Sequence, residues 1–139
     1  MMFFQISISI LLINAFLKQK LRSKHNMKIT INGKEQELNF GVRFVRELDK
    51  VAGMEAGGMS LGMGLTKSLP ALNAYDPAVL SDVIYSATFR NSPRVGRNDV
   101  DDYLDGLTSV KEFEKLFDDV SKEVKKANVL KVALKNMQA

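Results

Sequence analysis

From residue 28 onward, apolar positions recur first with the period of a strand and then with that of a helix. In KITINGKEQELNF (28–40), Ile29 and Ile31 alternate with polar neighbours, and so do Leu38 and Phe40. Asn32-Gly33 lies between the two runs, and it suits a type I′ turn, whose two central residues both need positive φ. Strands are expected at about 28–32 and 35–40. Two strands alone are marginal in water, so helices must cover them. In VRFVRELDKVA (42–52), Val42, Val45, Leu48 and Ala52 fall on one helical face, flanked by Phe44 and Val51. Glu47 and Lys50 can pair one turn apart, and Gly53 is the expected stop. Residues 53–64 carry Gly53, Gly57, Gly58, Gly62 and Gly64, too many for a stable helix. Apolar residues alternate there instead, at Met59, Leu61, Met63 and Leu65. The segment reads as a loop, or as a short strand extending the hairpin.

Helical spacing then returns. One helix is expected from near Leu65 through Leu69, Leu72 and Ala74, with Pro70 starting or kinking it. Asp76-Pro77 is an N-cap followed by proline at the first helical position, which predicts a second helix to about Phe89. RNSPRVGR (90–97) is turn-like and basic, a solvated loop or a patch for an acidic partner. Asn98 is the expected cap of DVDDYLDGL, whose early aspartates complement the helix dipole. Val110, Phe113, Leu116, Phe117, Val120 and Val124 mark a longer helix from about Ser109 to Lys126. Beyond it, Val129, Leu130, Val132 and Leu134 repeat the pattern weakly, so the tail continues that helix or frays. The expected fold class is α+β: an N-terminal β-hairpin, with room for a third short strand, packed on four to five α-helices.

A chain of 139 residues suits one domain and can fold without staples, and it contains no cysteine. A disulfide scaffold and thiolate metal sites are therefore excluded. The net charge of +4 comes wholly from Lys18, Lys20, Arg22 and Lys24. Residues 27–139 hold 16 basic and 16 acidic residues, so that body is neutral. It lacks the basic surplus that displaces counterions from phosphates, so nucleic acid is not expected as a partner.

The first 26 residues differ from the rest: an apolar run from Met1 to Leu17 is followed by a basic stretch to His25. A secretory signal would carry its positive charge before the apolar run. A membrane span needs about 20 apolar residues, and Gln5, Ser7, Ser9 and Asn14 interrupt this shorter one. An anchor with its N-terminus outside stays open, because basic residues after a span favour the cytoplasm. The abrupt change at Met27 favours translation starting there, which would make residues 27–139 the functional domain. Arg22-Ser23 encoded as AGG-AGN would supply a ribosome-binding sequence just upstream, and other codons would remove that support.

Little catalytic chemistry is available. His25 is the only histidine, so the body can build neither a Ser-His-Asp triad nor most zinc sites. Asp101/Asp102 and Asp118/Asp119 are sequence neighbours, which diverge on a helix and do not form the facing pair of a glycosidase. The glycines at 53–64 lack phosphate-loop spacing, and the aspartates at 99–105 lack that of a calcium loop. No enzyme activity, cofactor or metal is expected.

The ordered set of a β-hairpin, FGVRFVRELDK (40–50), GMGLTKSLPAL (62–72), DPAVLSDVIYSAT (76–88), DVDDYLD (99–105) and EKLFDDVSKEVKKAN (114–128) resembles the tail assembly chaperones of long-tailed phages and prophages of Gram-positive bacteria. The resemblance covers residues 27–139 and none of 1–26. It implies a non-catalytic factor in the host cytoplasm, absent from the mature virion. Such a factor binds the long tape measure protein, keeps it soluble and helps recruit tail tube subunits. A helical tape exposes apolar stripes until the tube encloses it, and uncovered stripes aggregate. The resemblance also implies a longer product made by ribosomal frameshifting, for which the codons of Leu134-Lys135-Asn136 or Val124-Lys125-Lys126 are candidate slippery sites.

No residue-level site transfers from the family. The candidate partner contacts are Met59, Leu61, Met63 and Leu65, since flexible Met-rich apolar segments suit adaptable binding; the competing reading places them in the core. Self-association is plausible for a coating protein. The alternative functions are a minor structural tail protein, which would remain in purified particles, and a small membrane-anchored host protein if residues 1–26 are translated.

Overall fold

The computed structural model describes residues 9–17 and 26–137. Residues 9–17 form a helix, α1, whose residues are all exposed. No helix among the described residues is long and apolar enough to cross a membrane.

Asn32 and Gly33 adopt φ of 52° and 73°, as a type I′ turn requires. The turn joins β1 (Lys28–Ile31) to β2 (Lys34–Glu37) in an antiparallel pair with Ile29 opposite Gln36. β2 stops before Leu38, so Leu38–Phe40 run on outside the strand expected there, although the Leu38 N–H still reaches the Met27 carbonyl at 2.8 Å. Then follow α2 (Val42–Ala52), β3 (Met54–Ala56), β4 (Met59–Gly62), α3 (Gly64–Asn73) and α4 (Pro77–Ala87). The chain continues through α5 (Arg97–Asp105), α6 (Val110–Lys126) and α7 (Asn128–Met137). The architecture is α+β. The tail neither continues α6 nor frays: the helix breaks at Ala127, and α7 buries Leu130 in the core.

The glycine-rich segment is neither a loop nor an extension of the first hairpin. It forms a second two-stranded sheet, with Ala56 opposite Met59 and an irregularity near Met54. Gly57 and Gly58, with φ of 58° and 77°, repeat the turn geometry of Asn32-Gly33. Gly53 and Gly64 serve another purpose. A Cβ on Gly64 would stand 2.9 Å from the Leu48 carbonyl, so the segment packs backbone to backbone on the end of α2. The Asp49 carboxylate secures it by accepting the Gly64 N–H at 2.8 Å.

The core face of α2 is centred on Phe44 and Leu48, both fully buried, while Val42 is exposed. The expected face was therefore rotated, because the helix must meet α3 and α4 on one side. Phe44 packs edge-on against Phe40, with ring centroids 5.0 Å apart. Leu72, Leu80, Ile84, Val100 and Val120 complete the centre of the core. The Glu47–Lys50 pair forms at 3.7 Å.

Asp76 caps α4 as expected, its carboxylate accepting the N–H groups of Ala78 and Val79 at 3.0 and 3.4 Å. Asp76→Ala is expected to cost about 1 kcal/mol, read as a lower urea midpoint at unchanged slope. Asn98 does not cap α5. The helix starts two residues earlier on Gly96, whose N–H donates to the Asp99 carboxylate at 2.9 Å.

The basic loop after α4 is not a merely solvated turn. It closes the outer edge of β2 with side chains: Asn91 accepts the Glu37 N–H at 2.9 Å and donates to the Glu37 carbonyl at 2.8 Å. Gln36, fully buried, donates to the Pro93 carbonyl at 3.0 Å and accepts the Val95 N–H at 3.3 Å. Arg94 lies over the Tyr85 ring at 4.1 Å and donates to the Tyr85 carbonyl at 2.9 Å.

Candidate functional site

Helix α3 ends in a motif that ordinarily selects glycine. The Asp76 N–H reaches back to the Ala71 carbonyl at 3.0 Å, and the Tyr75 N–H to the Leu72 carbonyl at 3.1 Å. This pair of bonds is a Schellman arrangement, and its residue after the cap takes positive φ. Here that residue is Tyr75, with φ of 61°. A left-handed conformation costs a non-glycine residue roughly 1–2 kcal/mol, so a bulky one persists only where its surroundings hold it. The Tyr75 ring packs edge-on against Phe117 at 5.2 Å, and its hydroxyl donates to the Asp118 carboxylate at 3.2 Å. That bond and the Asp118 charge raise the hydroxyl's pKa above the ordinary tyrosine value, with smaller contributions from desolvation and from Glu114.

Tyr75 stands at the mouth of an open groove of about 580 Å³. The floor is Phe117, which is buried, with half-buried Phe113 beside it at 5.5 Å between ring centroids. Leu107, from the turn between α5 and α6, and Val110, the first residue of α6, also line it, with Pro77 and Glu114. Tyr75 is 50% exposed and Val110 74%. The Ser109 side chain caps α6 by accepting the Glu112 N–H at 3.1 Å, which fixes where the Val110 and Phe113 wall begins. The α6 stripe predicted from spacing thus divides. Leu116, Phe117, Val120 and Val124 enter the core, whereas Val110 and Phe113 turn toward the groove.

The four contact candidates are placed differently from one another. Met59 and Leu61 lie on β4, and their side chains are outside the described residues. Leu65 is 7% exposed and belongs to the core. Met63 is 50% exposed and caps the start of α3 with φ of 68°. An exposed apolar residue in a left-handed conformation therefore sits at each end of α3, Met63 before it and Tyr75 after it. Spacing alone could not reveal the groove, since its walls come from two separate turns and the start of α6. The one local signal was Tyr75 between a helix end and the Asp76-Pro77 start.

No group of three His, Cys, Asp or Glu among the described residues could hold a metal ion, and His25 lies outside those residues.

A family model described as phage tail assembly chaperone protein, TAC, matches residues 28–138. The chain belongs to the phage tail assembly chaperone family. No curated protein and no solved structure matches it. The matched residues include every strand among the described residues and the whole lining of the groove, whereas α1 lies outside them.

Proposed function

We propose that this chaperone binds the tape measure protein, keeps it soluble and helps recruit tail tube subunits, without catalysis. It does so in the host cytoplasm and is left behind by the mature virion. The working unit is residues 27–139; the family match begins at 28, which is consistent with that boundary. The groove beside Tyr75 takes an apolar stripe of the tape, and Met63 and the β4 residues Met59 and Leu61 supply adaptable contacts at the other end of α3. The observation that carries this reading is Tyr75, half exposed at the groove mouth in a conformation that glycine would adopt freely. Strain held at an exposed aromatic points to a use outside the fold.

Co-expression of the full chain with the tape measure protein encoded beside it tests the proposal. The tape is expected to stay soluble and to co-purify. A tape that precipitates with and without this chain would overturn the proposal and favour a structural tail subunit, recognisable by its presence in purified particles. Tyr75→Gly separates binding from folding. Relief of about 1–2 kcal/mol of backbone strain offsets part of what is lost: the aromatic contact, about 0.5–1.5 kcal/mol beyond its area, the ring's half burial and the Asp118 hydrogen bond. The unfolding midpoint should therefore fall only modestly, while tape recovery falls roughly tenfold, as for a hot-spot residue. Unchanged recovery would remove Tyr75 from the interface.

A further inference from the structure

Around the end of α4, four guanidinium groups stand over two aromatic rings. Arg94 and Arg97 lie over Tyr85, at 4.1 and 6.0 Å from its centroid. Arg43 and Arg90 share Phe89, at 5.0 and 5.7 Å. The neighbouring carboxylates are already engaged. Glu47 lies 3.6 Å from Arg94 and 3.7 Å from Lys50, and Asp49 accepts the Gly64 N–H. Asp82 meets Arg97 at 2.8 Å. Burial raises the Asp82 pKa above the ordinary aspartate value, against the opposing pull of Arg97. Arg43 and Arg90 have no carboxylate partner among the described residues, and both are exposed. Arg46, one turn from Arg43 on α2, adds a third cation without one.

We propose that Arg43 and Arg90, held over Phe89, form a clamp for the carboxylates of an acidic segment of a partner protein. Both guanidiniums lie within 6 Å of one ring centroid, so a carboxylate docking beside Phe89 is attracted by both charges. The ring restrains both side chains before binding, so less freedom is lost when a carboxylate arrives. Each planar guanidinium keeps N–H edges free for paired hydrogen bonds to carboxylate oxygens. A peptide fits better than a nucleic acid. Residues 27–139 carry no net charge, and the neighbouring Arg94 and Arg97 are already paired with Glu47 and Asp82, which disfavours a phosphate backbone. The clamp is separate from the groove beside Tyr75 and does not depend on what fills it.

The test uses the full chain and three fluorescein-labelled probes: a hexaglutamate peptide, a hexaglutamine peptide and a single-stranded oligothymidine. Anisotropy is read at about 50 mM salt, where exposed charges are weakly screened. Hexaglutamate is expected to bind saturably and hexaglutamine not at all. Arg43→Gln and Arg90→Gln should each weaken hexaglutamate binding roughly tenfold, the worth of one charge-assisted pair. Lys111→Gln on α6 should leave it unchanged. Arg43→Lys and Arg90→Lys keep the charge, so they guard against a trivial loss of fold; they should still weaken binding severalfold, because an ammonium neither stacks nor bonds in pairs. Equal weakening by Lys111→Gln, or full binding by the glutamine variants, would overturn the clamp. Tighter binding of oligothymidine than of hexaglutamate would overturn it too, assigning the surface to nucleic acid.

Discussion

Gly53→Ala is expected to lower the unfolding free energy by about 3 kcal/mol, a large effect for one methyl group. A Cβ at Gly53 would fall 2.2 Å from the Asp49 carbonyl oxygen and 2.9 Å from that of Gly62. Both atoms are backbone, so neither can rotate away. The first closes the last turn of α2, where the Gly53 N–H donates to it at 3.0 Å, and the second ends β4. Relief would require α2 and the second hairpin to part, which also strains the Asp49–Gly64 bond. Gly41→Ala is the control. A Cβ there meets nothing within 4 Å, and its φ of −163° is open to any residue. Because alanine is a poorer N-cap than glycine, a cost below about 1 kcal/mol is expected. Urea unfolding of both variants decides the matter. Equal midpoints would mean that the hairpin does not press on α2 as closely as described.

Gln36→Leu is expected to cost about 2–3 kcal/mol, although it puts an apolar side chain of similar size into a buried site. Gln36 is fully buried and bridges the Pro93 carbonyl and the Val95 N–H. Leucine would leave both without their partner, and an unsatisfied buried group costs about 1–3 kcal/mol. The damage should be local as well as global. The Val95 amide should exchange its hydrogen faster than the amides of α4, because the loop over the edge of β2 opens first. A midpoint within about 0.5 kcal/mol of the parent would show that solvent replaces the lost partners.

Most elements were legible because their signals are local. Asn32-Gly33 requires positive φ, Asp76-Pro77 is both a cap and a first helical residue, and Ser109 precedes a stripe repeating at three and four. Each acts within a few residues, so the chain alone suffices to read it. Gly57-Gly58 carried the same kind of signal: two adjacent glycines between Ala56 and Met59 form a turn of the Asn32-Gly33 type. It was masked because the surrounding glycines suggested flexibility. Gly53 and Gly64 are there for close approach to α2, which depends on a partner that the local sequence does not name.

The candidate site shows the same division. The sequence by itself determined an α+β body of neutral charge, without thiols or a usable histidine, and with a family resemblance spanning residues 27–139. Local hydrogen bonding, side-chain periodicity and composition are properties of neighbours along the chain, so they can be read from it. Only the tertiary structure decided that Leu65 enters the core while Met63 stays outside, and that Val110 and Phe113 leave the α6 stripe to wall a groove. It also decided that Arg43 and Arg90 meet over one ring. Those outcomes depend on where the turns at 74–76 and 106–109 and the end of α4 come to rest. Packing of distant segments sets that, and no spacing within one segment encodes it.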